Sequence, residues 1–430
     1  MKKIFSVFLF IISAAVSAQK AEIQNSEQIS DYFDEIKTAA QRGAELWNQD
    51  LYGSILLVEP KTRQLYSNEA DTDKTLKEQG AIYSGKLPDH INIANTSIVW
   101  NGKTWAMIML PLPENKYDRI NLLAHELFHR VQASLGFVQS NKESIHLDQK
   151  DGRIFLRLEL EALTKAILSD SKKEQKTYLT DALTFRKYRN SLFPESAAME
   201  NQLELNEGLA EYTGLIISGR DRQQTKEHFA STISSFLKNP TFVRSFAYHT
   251  TPAYGYLLGL TDQFWNQKIK GNTDLTAFFI QSFAITVPDH LKAATEKAAV
   301  RYNGKKIASE EKTREEKIKK QIAAYKSQFI DQPHFDLRFE KMNVSFDPRN
   351  MVPLEDKGTV YPQIRVTDNW GILEAEKGAL MSKNWDKISV SFPTKISDET
   401  VEGDGWKLQL NKGYSIKKDA QNIHYQLIKE

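Results

Sequence analysis

Asn121-Leu122-Leu123-Ala124-His125-Glu126-Leu127-Phe128-His129-Arg130-Val131-Gln132 is the most telling stretch of this chain. Residues four apart on a helix stand one above the other, so His125 and His129 can present two imidazoles to one point. Glu126 lies one residue round from His125, where its carboxylate can meet a water held at that point. The pattern is H-E-x-x-H, two zinc ligands with a general base between them. Ile120, Leu123, Ala124, Leu127 and Val131 recur at helical spacing and predict one buried face. Asp118 is a candidate N-cap and Gly136 a candidate stop. The competing reading is a helix whose two histidines are incidental.

A catalytic zinc takes three protein ligands and keeps a fourth position for water. The third is sought in Asn206-Glu207-Gly208-Leu209-Ala210-Glu211-Tyr212-Thr213-Gly214, where Glu207 and Glu211 share one helix face. Leu203, Leu205, Leu209, Leu215, Ile216 and Ile217 predict a mostly buried helix, ended by Gly219. A buried carboxylate pair is costly unless something positive neutralises it. Zinc would do so for Glu207, and Glu211 could then accept a hydrogen bond from the second ring nitrogen of a ligand histidine. Two alternatives stand beside this: a solvated glutamate pair, and a ligand from Arg157-Leu158-Glu159-Leu160-Glu161. Arg157 and Glu161 are also spaced for an ordinary i,i+4 ion pair.

His125-Glu126-x-x-His129 followed by Asn206-Glu207-Gly208-x-Ala210 resembles the gluzincin metallopeptidases, the thermolysin-like and aminopeptidase N-like zincins. The resemblance covers the two helices. It implies Glu207 as third ligand and Glu211 as the acid behind it. It also implies an oxyanion donor, a Tyr or His, from a segment downstream of the ligand helix. Phe242-Val243-Arg244-Ser245-Phe246-Ala247-Tyr248-His249-Thr250-Thr251-Pro252-Ala253-Tyr254 has that position, with His249, Tyr254 and Tyr248 as candidates and aromatic packing as the competing reading. The chain departs from the pattern in its long step from His129 to Glu207, which predicts extra helices. It also lacks an upstream Gly-x-Met-Glu-Asn segment; Ala198-Met199-Glu200-Asn201 has similar letters but follows the zinc helix.

The chain opens Met1-Lys2-Lys3, runs apolar from Ile4 to Val16 and reaches Val16-Ser17-Ala18 before Gln19, the form of a signal peptide over residues 1–18. The run is too short to span a membrane. Periplasmic or secreted localisation follows as an expectation, with no membrane-spanning segment after signal removal. The formal charge of +2 is that of Lys2 and Lys3, so the remainder is neutral and offers nucleic acid no electrostatic footprint. There is no cysteine, so zinc must be held by His and carboxylate alone. About 410 remaining residues exceed one ordinary core and predict two or three domains.

Residues 26–47 read as a helix, with Ile29, Phe33, Ile36 and Ala40 in phase. Gly53–Val58 and Arg63–Tyr66 read as a hairpin or edge pair. Ser97–Trp100 and Thr104–Leu110 flank Asn101-Gly102, the signature of a type I′ hairpin. The resemblance makes the second of these strands the sheet edge along which a peptide lies; an interior strand is the alternative. Tyr117 to about Phe329 is mainly helical, including a charged connector at Ser309–Lys320. Beyond Gln332 alternating strands and turns predict a β domain holding Trp370, Trp385 and Trp406, as core or as a binding surface. The expected fold class is α+β: a zincin-like metallopeptidase domain with an N-terminal β-sheet part (19–116) and a helical zinc-binding part (117–330), then a small β domain (331–430).

The expected activity is zinc-dependent hydrolysis of a peptide or protein substrate. His125, His129 and Glu207 would hold Zn2+, Glu126 would act as base, and His249 or Tyr254 would serve as donor. A non-catalytic zinc-containing envelope scaffold or binding protein, and a zinc hydrolase acting on a non-peptide amide, are the alternatives.

Overall fold

The computed structural model describes residues 26–137, 144–346, 351–418 and 425–430. The expected signal segment, residues 1–18, lies outside the described residues. The fold is mixed α+β and divides into two compact units, Met1–Lys305 and Lys306–Glu430.

The first unit opens with helix α1, residues 26–42, which buries Ile29, Phe33, Ile36 and Ala40. A six-stranded sheet follows: β1 (Ile55–Val58), β2 (Gln64–Ser67), β3 (Lys77–Gln79), β4 (Ile82–Lys86), β5 (Thr96–Trp100) and β6 (Lys103–Met109), in the order β3-β4-β2-β1-β6-β5. β1 and β2 pair antiparallel, whereas β1 and β6 run parallel, Leu56 opposite Met107. The β5–β6 turn has positive φ at both Asn101 (45°) and Gly102 (74°), as a type I′ hairpin requires. β6 is therefore interior, buried from Trp105 to Ile108, and β5 is the edge strand.

Helix α2 (Lys116–Gln132) comes next and buries Ile120, Leu123, Ala124, Leu127, Phe128 and Val131. Its N-cap is Asn115, not Asp118. Asn115 Oδ1 accepts from the amides of Tyr117 and Asp118, at 2.9 and 3.2 Å. Asp118 already sits in the first turn, where its carboxylate pairs with Arg220 instead. The chain leaves the helix through Gly136, at φ 83°.

The helical part continues with α3 (Lys150–Leu168), α4 (Lys172–Leu192) and α5 (Ser196–Leu203), then a π-helical turn, Glu204–Gly208, that runs straight into α6 (Leu209–Ile217). After it come α7 (Arg222–Phe236), α8 (Ala247–Gly259), α9 (Leu275–Ser282) and α10 (Leu291–Ala299). Gly214 lets α6 pack directly against α2: a Cβ there would stand 2.5 Å from the Asn121 carbonyl oxygen. Any larger residue would push the two helices apart.

Behind the π turn lies a buried ionic network. Arg186 binds Glu159 at 2.6 Å and Glu204 at 2.7 Å, and Arg189 binds Glu159 at 2.6 Å and Glu200 at 2.5 Å. Each of these carboxylates is offset by a guanidinium, the condition under which buried charge is tolerated.

The second unit carries most of helix α11 (Gly304–Lys326) and then strands. Among the described residues these form sheets of five and six strands and a two-stranded hairpin, Tyr414–Lys418 with Tyr425–Lys429. Side chains from both larger sheets, among them Leu337, Val390, Val366 and Leu373, share one core. Trp370 and Trp406 belong to that core, whereas Trp385 is exposed. Among the described residues no helix is long and apolar enough to cross a membrane.

Candidate metal centre

α2 supplies two donors and the π turn the third. His125 Nε2 and His129 Nε2 lie 3.0 Å apart, and Glu207 Oε2 is 3.4 Å from the first and 3.3 Å from the second. A tetrahedral ion with bonds of about 2.0–2.1 Å needs donor separations of about 3.3–3.4 Å. The three residues form a group able to hold a metal ion.

The hydrogen bonds behind the donors explain why they converge. His125 Nδ1 lies 2.9 Å from Glu211 Oε2, and His129 Nδ1 lies 2.8 Å from Gln132 Oε1. Both partners are acceptors, so each Nδ1 carries a proton and each ring turns its Nε2 toward Glu207. Two lone pairs and a carboxylate meeting at one point repel each other unless a cation lies among them. With no cation among the donors a proton takes that place: burial alone would lower the His125 pKa, but hydrogen bonds to Glu207 and Glu211 carry it up to about 10, and a metal ion would displace that proton on binding. Burial would raise Glu207, yet His125, His129 and Tyr248 hold it far below the ordinary carboxylate range.

Glu126 is buried, with 4% of its surface exposed, and its Oε2 has no hydrogen-bond partner. Burial raises its pKa, against the pull of His125 and His129. An orphaned carboxylate oxygen inside the cleft suits a group that exchanges a proton with a bound molecule.

Tyr248, in the first turn of α8, closes one side of the centre. Its ring stacks on His125 with centroids 5.3 Å apart, and its hydroxyl donates to Glu207 Oε2 at 2.5 Å. Burial and the Glu207 charge raise its pKa, so it keeps its proton as a donor. His249 stands in the wall of a pocket of about 540 Å3 that Glu207, Glu211 and Tyr248 also line, and its ring packs on Phe236 at 4.3 Å. Burial pushes its pKa down to about 4, so it is neutral. Tyr254, expected here from its place in the sequence, is not at the centre. It is fully buried and donates to Glu159 Oε1 at 2.9 Å. Helical phase is the reason: six residues beyond Tyr248 the helix has turned by about 240° beyond a full turn.

The competing ligands are also placed. Both oxygens of Glu159 are taken by Arg186, Arg189 and Tyr254, and Glu161 lies outside the donor group. Glu200 of the Met-Glu-Asn segment binds Arg189 and His146. Sequence reasoning did not single out Asn121, which donates to Glu211 Oε1 at 2.9 Å, or Gln132. The available signal was spacing: Asn121 stands four before His125 and Gln132 three after His129, both on the ligand face.

No family model, curated protein or solved structure matches this chain. The case for a metal centre is therefore carried by its own geometry.

A second pocket, of about 400 Å3, shares Glu211, His228 and Tyr248 with the first and reaches His125, Glu126 and Asn95. Asn95 and Thr96, where edge strand β5 begins, border the same space as His129 and Glu207.

Proposed function

We propose that this chain is an exported zinc-dependent peptidase of gluzincin type. The observation that carries the reading is the convergence of His125, His129 and Glu207 beside a buried carboxylate, Glu126, whose Oε2 is unpartnered. Zinc held by those three residues would supply Lewis acidity, acidifying a water and polarising the scissile carbonyl. Glu126 takes the proton from the attacking water and returns it to the leaving amine. Burial raises its pKa, which favours holding the proton between the two transfers. Tyr248 donates its one hydroxyl proton to Glu207, beside the centre, and would turn it from Glu207 to the developing oxyanion as the reaction proceeds. An extended peptide has a place to lie: β5 is a sheet edge, and its first residues border the centre.

The test is metal analysis of the purified protein, followed by a peptide-library assay of the zinc-loaded form and of Glu126→Gln. Hydrolysis that disappears in Glu126→Gln, with zinc still bound, is the expected result. Iron in place of zinc, or no hydrolysis by the zinc-loaded wild type, would sink the proposal, and the latter would favour the non-catalytic scaffold.

A further inference from the structure

Gln132 is the last residue of α2, and its side chain lies inside the protein with 1% of its surface exposed. Its amide makes three contacts. Nε2 donates to the carbonyl oxygens of Leu205 and Asn206, at 3.2 and 2.9 Å, while Oε1 faces His129 Nδ1 at 2.8 Å. The orientation of the amide follows from chemistry. Two carbonyls can only accept, so the end that meets them must be the NH2 group, and the oxygen is left for His129. That oxygen requires a proton on Nδ1 and so leaves Nε2 as the donor atom toward Glu207.

The two carbonyls belong to the π turn. There the Leu209 amide bonds to Glu204 O, five residues back, so the Leu205 carbonyl loses the amide that an α-helix would give it. Gln132 supplies the missing donor. One buried side chain thus sets the tautomer of one candidate ligand and satisfies the backbone bulge that carries another.

We propose that Gln132 is a positioning residue that couples His129 to Glu207 and sets the spacing of the metal-binding group. This rests on the metal centre of the proposed function and not on its hydrolytic activity. Gln132→Met keeps the volume and removes both roles.

The test is zinc affinity of the full chain by competition with a chromogenic chelator, for wild type, Gln132→Met and Leu163→Ala. Leu163 is a core residue of α3, so its truncation controls for lost stability alone. The expected result is an affinity loss of about 10–100-fold in Gln132→Met, with Leu163→Ala close to wild type. A Gln132→Met loss no larger than that of Leu163→Ala overturns the inference, as does a wild type that binds no zinc. Zinc binding without peptide hydrolysis would overturn the proposed function and leave this inference standing. Should Gln132→Met not fold, proton exchange in zinc-loaded wild type decides. A His129 Nδ1 proton protected from solvent supports the coupling, and one exchanging as fast as that of a surface histidine overturns it.

Discussion

Glu211 Oε2 stands 2.9 Å from His125 Nδ1, and the other oxygen of the same carboxylate accepts from Asn121 at 2.9 Å. The carboxylate is fixed from behind while it fixes the ring in front. Partners of this kind orient a ligand and raise its basicity, and removing them costs about 10–100-fold in metal affinity. Glu211→Ala is expected to lose that much zinc affinity, and Asn121→Ala less, by chelator competition. Wild-type affinity in Glu211→Ala would show that His125 needs no such support.

Glu207 and Glu159 were rival third ligands, and their surroundings now separate them. Glu207→Ala is expected to abolish stoichiometric zinc binding. Glu159→Ala is expected to keep zinc but destabilise the fold, since it strips Arg186 and Arg189 of a shared buried partner. Breaking a buried ion pair costs about 3–5 kcal/mol. Metal content and urea denaturation of both variants check this. Zinc retained in Glu207→Ala and lost in a folded Glu159→Ala would reverse the assignment.

What could be read from sequence follows from how far apart the cooperating residues lie. His125, Glu126 and His129 share one helix, so its period alone brings them together. Glu207 was legible as half of a carboxylate pair on an apolar helix, a pattern that calls for compensation. The π turn was not. One inserted residue leaves little periodic trace in a run as apolar as Leu203–Ile217. Tyr254 was expected at the centre because residue types in 242–256 do not reveal helical phase; that is set by where α8 begins, at Ala247. Whether β6 is edge or interior depends on its parallel pairing with β1, a contact some fifty residues distant in sequence that periodicity cannot report.

Asp71 gives the sheet an acid-sensitive anchor. Its Oδ1 accepts from the Leu76 amide at 3.0 Å, and its Oδ2 accepts from the Thr75 hydroxyl and Asn101 Nδ2, each at 2.7 Å. Asn101 is in the β5–β6 turn, so this carboxylate ties down the hairpin whose edge strand borders the centre. Burial alone would raise the Asp71 pKa, but these bonds hold it down at about 2, against 3.8 for a free side chain. A depressed carboxylate adds stability above its unfolded pKa and loses it as the pH falls through the folded value. The Asp71 contribution is thus whole above about pH 4 and fades toward pH 2. Asp71→Asn is expected to be less stable at pH 6 by about 1–3 kcal/mol, with a shallower loss between pH 4 and pH 2 in urea titrations. Equal acid sensitivity in both proteins would place the effect elsewhere.

The oxyanion donor is the last role to assign, and the geometry ranks the three candidates. Tyr248 touches both His125 and Glu207, His249 faces the adjoining pocket, and Tyr254 is committed to Glu159. His249 is neutral at pH 7, so it can offer an N–H but no charge. A donor that acts only in the transition state lowers kcat when removed and leaves KM nearly unchanged, by about 100–1000-fold for one oxyanion contact. Tyr248→Phe is expected to show that pattern at saturating zinc, since the ring and its stacking survive, with a lower zinc affinity from the lost bond to Glu207. His249→Ala is expected to raise KM more than it lowers kcat, as a wall residue of the pocket should. Tyr254→Phe should leave kinetics unchanged and lower thermal stability, because it removes a donor from a buried carboxylate. Steady-state kinetics on one peptide substrate, with metal content measured for each variant, separates these outcomes. A kcat loss in His249→Ala with wild-type kcat in Tyr248→Phe would move the donor to the pocket wall and leave Tyr248 only its hold on Glu207.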